Sequence, residues 1–585
     1  MGSARSRARF LGLLVATILS CSDEQAGALT DVEGIGSPLF SNGSGPGNTY
    51  HYVKAQGGLT VGRGATPDSA WTLSHALSGG GGILTGGDTV WLLGGTYTGT
   101  FSATLTNSSG TPIVFRQQRG ETAKLVQNGG FGQSTTPSLT VQPQATWIEF
   151  WDFEITNTST TQRSDSGGSS HEWVPHAIWN KASHTKFVNL ILHDVGHAFL
   201  NDPTASDVMI SGCIIYNNGW QRPNPPGDLA EIDGHGLYLR NNSTTEYVVA
   251  SDNIIFNQFG YGIHVYTNAT EGLLNRIRLS GNVLFNNGSM TRFGTNANLG
   301  NLGEPVAQNQ IIEFNRLFFS TQTALNAAPN DGQQLAVGRN LAYGTSSPGT
   351  STRNANYAIG GNPIVEPGSG WTTQGSDITS AVPFEEKVFP ARVTAADNKR
   401  ANIVVFTPSL KATIQADVTG FLVAGDQYTV RNAQQFSTII KSDTYSGTGT
   451  ISFSNAGVAA QGSVGTPTLR WPVTTGPLFN VFVVARTPAP PLVATTFTAP
   501  SFMNSGQTCN LYASSTGGVS PITYTWSFVG SAVVGYSPQN GVFLAAAQGS
   551  SGYSDITVTA RDAVGSEKEA TKRITIDNWT TYFCN

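Results

Sequence analysis

Four short segments between residues 176 and 266 place aromatic, basic and acidic side chains at equivalent positions. The segments are 176–181, 197–202, 235–240 and 261–266, and each has an apolar third residue. Because side chains of a β-strand alternate between two faces, an inward third residue sends the fourth and sixth residues outward. The outward residues form two rows: Trp179, Leu200, Tyr238 and His264, then Lys181, Asp202, Arg240 and Tyr266. Aromatic rings stack on the C–H faces of sugars and nearby charges hold carboxylates or hydroxyls, so these rows predict a polysaccharide-binding surface, with Trp179 and Tyr266 as binding residues.

The first position of these segments is occupied by His176, His197, His235 and Tyr261. It shares the parity of the inward residues, so we expect the three imidazoles to form a buried ladder rather than a catalytic or metal-binding cluster. His264 has the opposite parity and is expected to face outward.

Two long insertions, 158–175 and 217–234, enter these strands from the same edge, and long loops are often functional. We expect them to wall a groove and to add Trp173 and Trp220 as substrate-binding residues. The second insertion also contains three carboxylates, Asp228, Glu231 and Asp233. Together with Asp202 they could bind calcium (Ca²⁺), which prefers oxygen ligands. The alternative is that the insertions are inert and that exposed aromatic residues are ordinary filler.

The first candidate reaction is β-elimination on a uronate polysaccharide, which needs a cation against the carboxylate, a base and a proton donor. Arg240 and Lys181 are the basic residues of the two rows, and either is a candidate base, with Tyr238 or His264 as donor. Residues 140–345 contain ten basic and 17 acidic residues, a net charge of −7. A polyanionic substrate would therefore need bridging Ca²⁺.

Two alternatives stay open. Hydrolysis needs paired carboxylates. The motifs Gly234-His235-Gly236 and Arg276-Ile277-Arg278 faintly resemble two polygalacturonase motifs, but the chain contains no Asp-Asp pair. The other alternative is a cell-surface protein that binds glycans or adheres without catalysis.

A second repeat, between about residues 147 and 345, indicates the elements that carry these side chains. Short apolar strands recur every 23 to 40 residues, each ending in an aromatic residue or His, and the last four begin with Asn. One such strand cannot bury its own side chains, but coils stacked about 4.8 Å apart can. We expect aromatic ladders inside the stack and an amide ladder at a turn.

These strands resemble the right-handed parallel β-helix of the pectate-lyase-like superfamily, over roughly residues 45–345. The segment 68–77 resembles the short amphipathic helix that caps that fold, and 87–97 is similar to its first coil. The resemblance implies an all-β protein with a groove on the outer face of the sheet that carries the two rows. It also implies a carbohydrate-active protein, with lyase chemistry favoured.

The rest of the chain predicts a linker at 346–380 and a β-sandwich module at 381–488. Residues 492–585 resemble an immunoglobulin-like domain of the PKD type. In an exported protein Cys509 and Cys584 are expected to pair and close that module, whereas Cys213 lies in an apolar run and is expected to be buried.

Residues 1–28 have the charged and apolar regions of an export signal. Cys21 follows a sequence that resembles a bacterial lipobox, which predicts a lipidated outer-membrane or cell-surface protein; cleavage after Ala28 would instead give a secreted one. The net charge of −5 disfavours a nucleic-acid partner. We expect a monomer whose partner is a polysaccharide and which meets the membrane only through its lipid.

Overall fold

The computed structural model describes most of the chain after residue 48. The described ranges are 49–130, 136–161, 174–221, 232–267, 272–290, 296–299, 307–318, 325–327, 335–338, 341–343, 346–347, 352–354, 357–359, 378–380, 386–465, 472–488, 492–530, 532–536, 541–546, 551–562 and 566–577. The predicted signal with Cys21 lies outside them. So do Trp173, Asp228, Glu231 and Cys584. None of the helices in these ranges is long and apolar enough to cross a membrane.

Three parallel sheets, which we call A, B and C, are built by strands that recur in the order A, B, C along the chain. Sheet A contains Tyr50–Val53, Thr89–Leu92, Ile113–Gln117, Ile148–Trp151, Thr185–Val188, Val208–Ser211, Val248–Ser251, Ile277–Ser280, Gln310–Glu313, Leu335–Gly338 and Thr352–Asn354. Sheet B contains Gly95–Thr98, Ala123–Gln127, Glu154–Asn157, Ile191–His193, Ile214–Tyr216, Ile254–Phe256, Val283–Phe285, Arg316–Phe318, Leu341–Tyr343, Tyr357–Ile359 and Ile378–Ser380. Sheet C contains Phe101–Ala103, Leu139–Val141, Ile178–Asn180, Phe199–Asn201, Leu237–Leu239, Ile263–Val265, Ala297–Leu299, Leu325–Ala327 and Ser346–Ser347. The chain is therefore an all-β parallel β-helix, the fold class that the repeats predict.

The ends of the β-helix differ in detail from the predicted ones. The cap is a single short helix, Leu73–Leu77. Its N-cap residue, Thr72, accepts a hydrogen bond from the backbone N–H of His75 through its side chain. At the other end the three sheets run past residue 345, since Thr352–Asn354 and Ile378–Ser380 still pair with them. The segment predicted as a linker therefore carries β-helix strands.

The amide ladder forms at the start of the sheet B strands. The side-chain amide of Asn253 donates to Oδ1 of Asn282, and that of Asn282 donates to Oδ1 of Asn315, each at 2.9 Å. All three side chains are buried. Each amide thereby satisfies its neighbour on the next coil and fixes the vertical register of the strands.

The aromatic ladder of sheet B lies outside the solenoid, whereas the repeat pattern predicted an aromatic ladder inside it. His193, Tyr216, Phe256 and Phe285 stack with ring-centroid distances of 4.6, 5.2 and 4.9 Å. The reason is strand alternation: the residue before each ring, such as Leu192, points into the core, so the ring must point out. We call these four residues the aromatic stack.

The first β-sandwich module covers the aromatic stack. The ring of Phe479 lies 5.1 Å from that of Phe285 and 4.4 Å from that of Phe318. Polar contacts secure the edges: the Asn217 amide donates to the Gln461 carbonyl, and the backbone N–H of Val464 donates to Asp194. The strands of this module are Lys387–Val388, Arg392–Val393, Arg400–Phe406, Thr413–Asp417, Gln427–Asn432, Ile439–Thr444, Thr450–Ser454 and Phe479–Thr487, with a 3₁₀ turn at Ala433–Gln435.

The last module consists of two four-stranded sheets. One contains Ala494–Thr498, Thr508–Thr516, Gly541–Ala546 and Ala532–Tyr536, and the other contains Phe502–Asn504, Glu567–Asp577, Gly552–Arg561 and Thr523–Gly530. Cys509 is disulfide-bonded and buried, while Cys213 is a free, buried thiol. The assignment of this module to the PKD type stays a prediction.

Candidate functional site

The outward row predicted on sheet C is continuous across four coils. Strand pairing sets Trp179 opposite Leu200, Leu200 opposite Tyr238, and Tyr238 opposite His264. The residue before each of them is fully buried in the core, which forces the row outward. Trp179, Tyr238 and His264 are partly exposed, whereas Leu200 is buried between them. We call this row, together with Lys181, Asp202, Arg240 and Tyr266, the outward strip.

One end of the outward strip is an aromatic cluster. The His264 ring lies 5.2 Å from the Tyr238 ring and 5.2 Å from the Tyr266 ring, and it is nearly parallel to the latter. Tyr261 stands 4.7 Å from His264, and burial raises the pKa of its phenol. The rings of Tyr238, Tyr261 and Tyr266 therefore surround that of His264.

The other end of the strip is formed by Trp179 and Lys181. The Lys181 ammonium nitrogen lies 3.7 Å from the Trp179 ring centroid, a cation–π contact. Within the described ranges Lys181 forms no ion pair with Asp202, whose Oδ1 instead accepts hydrogen bonds from the backbone and hydroxyl of Thr204. The indole N–H of Trp179 is buried and has no acceptor among the described residues.

Arg240 was expected on the exposed face, but it is only 8% exposed. Its Nε donates to the carbonyl of Asn201 at 3.1 Å, and the Asn201 amide donates back to the Arg240 carbonyl at 2.9 Å. The reciprocal pair draws the side chain down onto the coil. The guanidinium carbon consequently lies 5.3 Å from the centre of the Tyr238 ring.

The predicted catalytic residues do not form one cluster. Three coil spacings separate Trp179 from His264, about 14 Å along the solenoid axis at the usual strand spacing. Arg240, Tyr238 and His264 form one group, and Lys181 belongs to the Trp179 end. A sugar held at His264 is therefore out of reach of Lys181, which can contact only a neighbouring sugar of the same chain.

The imidazoles of His176, His197 and His235 form a buried ladder, and two of these rings contact the outward row. The centroids of His176 and His197 are 4.5 Å apart, and those of His197 and His235 are 5.0 Å apart. Burial lowers the pKa of His176 to about 4 and the pKa values of His197 and His235 well below 6.5; neighbouring imidazoles lower the latter two further. Burial also lowers the pKa of the partly exposed His264 to about 3. All four imidazoles are therefore neutral near pH 7.

Trp220, predicted to bind substrate, is fully buried. The insertion begins and ends as a two-stranded antiparallel pair that sets Trp220 opposite Asp233. This pair turns the indole toward the solenoid, 6.3 Å from the His197 ring. Trp220 therefore supports the imidazole ladder and lines no groove.

The predicted calcium ligands do not form a cluster among the described residues. Asp228 and Glu231 lie outside the described ranges, and only the backbone of Asp233 is described. No group of three His, Cys, Asp or Glu side chains within the described ranges is arranged to hold a metal ion. The Asp202 oxygen that was expected to bind calcium closes a local turn with Thr204.

The two motifs that resemble a polygalacturonase lie on different sheets. His235 precedes the sheet C strand Leu237–Leu239 and is buried in the imidazole ladder. Arg278 lies on sheet A and forms an ion pair with Glu313.

Two residues at the ends of the row were missed from the sequence. Thr140 pairs with Trp179, and Asn298 pairs with His264, so the row continues by at least one coil beyond each end of the predicted four. Both have the correct parity in short apolar strands, but their segments lack the initial His or Tyr that marked the other four. Strand parity alone was the available signal.

The sequence matches no protein-family model and no curated protein. Two solved structures are similar in fold. One is pectate lyase Pel9A, 15% identical with a TM-score of 0.41 over 57% of this chain and 81% of that chain. The other is the alginate lyase from Paenibacillus sp. str. FPU-7, 15% identical with a TM-score of 0.31 over 53% of this chain and 95% of that chain. The β-helix of this chain is established by its own strand pairing and not by these identities and TM-scores.

Proposed function

We propose that this chain is an exported polysaccharide lyase that cleaves a uronate-containing glycan by β-elimination on the outward strip. The observation that carries the proposal is the register of Trp179, Tyr238 and His264 on one exposed wall. A cation lies on the aromatic residue at each end: Lys181 on Trp179 and Arg240 on Tyr238. Rings that stack on sugars and cations that attract carboxylates together suit an acidic glycan.

The reaction removes the proton from C5 of the uronate, moves that electron pair into a C4–C5 double bond, and breaks the C4–oxygen bond. The leaving oxygen then takes up a proton. The Arg240 guanidinium acts as the cation that stabilises charge on the carboxylate. We assign both proton transfers to Tyr238 beside it: the phenolate takes the C5 proton, and the phenol so formed returns a proton to the leaving oxygen. His264 is assigned the hydrogen bond to a substrate oxygen.

Trp179 and Lys181 bind an adjacent sugar in this proposal. The Lys181 ammonium attracts its carboxylate, and the partly exposed Trp179 ring offers a surface for the sugar. Export through residues 1–28, lipidation of Cys21 and a monomeric state complete the proposal. The described residues contain no assembled group of metal ligands, and the proposed steps are assigned to protein side chains.

A glycan-binding protein without catalysis is the second candidate. The favouring observation is that Arg240 is almost fully buried and that the lowered pKa values of the four neighbouring imidazoles make them weak bases. Hydrolysis is less well supported, because the strip holds a single carboxylate, Asp202, among the described residues, and that reaction needs two.

The test is incubation of the mature protein with polygalacturonate, alginate and neutral glycans, each with Ca²⁺ or with a chelator. Growth of the ultraviolet absorbance of unsaturated uronates supports elimination. New reducing ends without that absorbance indicate hydrolysis, and retention on a glycan without either product indicates binding alone. The chelator arm shows whether calcium is needed.

A further inference from the structure

The buried imidazoles next to the strip take no part in the proposed reaction, yet their hydrogen bonds fix the state of a residue that does. We call His176, His197 and His235 the imidazole column. The backbone N–H of His197 donates to Nδ1 of His176 at 3.0 Å, and that of His235 donates to Nδ1 of His197 at 3.0 Å. The backbone N–H of Tyr261 donates to Nδ1 of His235 at 3.1 Å.

A backbone N–H can only donate, so Nδ1 of every member of the column must be an acceptor. A neutral imidazole carries one proton, which is therefore on Nε2 in all three rings. The low pKa values of these buried rings exclude the doubly protonated form near neutral pH. The tautomers follow from the geometry of the backbone.

Glycines make the close approach possible. A Cβ atom at Gly196 would lie 2.8 Å from Nδ1 of His176, and one at Gly260 would lie 2.7 Å from Nδ1 of His235. Any side chain at these positions would push the following N–H away from the ring. The contact between backbone and imidazole is thus built into two separate coils.

The column ends in a contact with the outward strip. Nε2 of His235 and Nδ1 of His264 are 3.1 Å apart. His235 must be the donor, because otherwise neither of its nitrogens would carry a proton. His264 therefore accepts at Nδ1 and carries its own proton on Nε2. Within the described part of the chain no residue is hydrogen-bonded to that Nε2.

We propose that His235 is a positioning residue that holds His264 in the Nε2–H tautomer, so that the strip presents a fixed, neutral hydrogen-bond donor to its ligand. His264 then cannot serve as a base. The guanidinium of Arg240 can likewise only donate. This corner of the strip selects an acceptor group, and, on the proposed function, that group is the carboxylate of a uronate sugar. Neutral sugars and amino sugars should bind less well there.

The tautomer is measured by NMR on the full mature chain labelled with ¹⁵N-histidine, with the His264 signal identified from its loss in His264→Gln. The inference expects His264 to be protonated on Nε2 and unchanged between pH 8 and pH 5. An Nδ1–H signal, or titration of His264 near pH 6.5, would overturn it. No glycan is present, so failure of the proposed function leaves this result untouched.

Two variants test the role of His235. In His235→Phe the constraint is lost, and His264 is expected to show a mixture of tautomers. In His235→Gln the amide can accept from Tyr261 and donate to His264, so the Nε2–H form should return. An unchanged His264 signal in His235→Phe would refute the positioning role. If His235→Phe does not fold, failure of His235→Gln to keep the Nε2–H form refutes it instead.

The predicted preference for uronate over neutral sugars is tested separately. Binding of a uronate trisaccharide and of the matching neutral trisaccharide is compared by calorimetry on the wild type and on His264→Gln. We expect the wild type to prefer the uronate at least tenfold and the variant to lose most of that preference. Equal binding of both sugars by the wild type would contradict the selection of an acceptor group.

Discussion

Tyr238 and His264 lie opposite each other on neighbouring coils, with ring centroids 5.2 Å apart and ring planes inclined by 54°. The ring of His235 lies beneath both, 5.8 Å from Tyr238 and 4.7 Å from His264. The exposed pair is thus supported by a buried ring whose own position is fixed by the backbone. A rigid support of this kind limits the motion of the side chains that would contact a sugar.

Removal of the Tyr238 hydroxyl should separate catalysis from binding. Tyr238→Phe keeps the ring that stacks on a sugar but loses the group that transfers protons. Proton-transfer groups contribute about 10²- to 10⁴-fold to rates, so the rate of elimination should fall by that factor while glycan affinity changes little. The measurements are initial rates of unsaturated product formation and retention on immobilised substrate. Tyr512→Phe, a 63% exposed residue of the last module, is the matched control. Full activity of Tyr238→Phe would remove Tyr238 from the mechanism.

Loss of the Lys181 charge should weaken binding of acidic glycans alone. In Lys181→Met we expect affinity for uronate chains to fall about two- to fivefold, the effect of an exposed ion pair, with a smaller loss at high salt. Affinity for neutral glycans should not change. Lys54→Met, in the first coil, is the control, because its ammonium donates to the carbonyl of Asp68 away from the strip. An equal loss in both variants would show that only net charge matters.

The buried imidazoles should make the protein sensitive to acid. Their pKa values lie below 6.5 in the folded chain, so below pH 6.5 the unfolded chain binds protons that the folded chain does not. The free energy of unfolding should therefore fall by up to about 1.4 kcal/mol per pH unit for each imidazole between pH 6.5 and pH 4.

His193 has the opposite effect. Although burial opposes its charged form, hydrogen bonds and attraction from Asp194 and Glu154 raise its pKa. Its stabilising contribution is therefore full below pH 6.5 and is lost as the pH rises through its folded pKa. The single raised pKa of His193 does not offset the four lowered imidazole pKa values, so the free energy of unfolding should still fall with acid. Urea unfolding at a series of pH values, compared with His176→Gln, should show a slope lower by about one proton in the variant. Identical slopes would contradict the burial of neutral His176.

The aromatic stack should join the β-helix and the first β-sandwich into one unfolding unit. Phe285 is fully buried between the Phe256 and Phe479 rings. Phe285→Ala should lower the free energy of unfolding by about 3–5 kcal/mol and expose the module to limited proteolysis. Phe502→Ala, at a 45% exposed Phe, should cost little. A sandwich that is released without loss of β-helix stability would show that the two fold independently.

Strand parity predicted much of the site, because a period of two leaves each strand residue only two possible faces. It gave the inward Ile178 and Ile263 and therefore the outward Trp179 and His264. Strand parity did not predict whether an outward residue is exposed to solvent or covered by another part of the chain. Tyr216 and Phe256 face out of the solenoid and are nevertheless buried, since another module covers them.

The sequence pattern also failed to predict that Arg240 and Trp220 are buried. The parity of Arg240 is outward, but its hydrogen bond to the Asn201 carbonyl draws it onto the coil. Trp220 was expected to line a groove, and a two-residue strand pair inside the insertion turns it inward. The Arg240 contact joins two coils whose residues are 39 apart in sequence, and the Trp220 pairing spans an insertion, so a local pattern reveals neither.

The most direct test of the account is a crystal structure of the protein with a uronate pentasaccharide. We predict a sugar chain that crosses the outward strip from Trp179 to Tyr266, with one carboxylate within hydrogen-bond distance of His264 Nε2. An oligosaccharide bound to sheet A or to either β-sandwich, with the strip left vacant, would contradict the central claim.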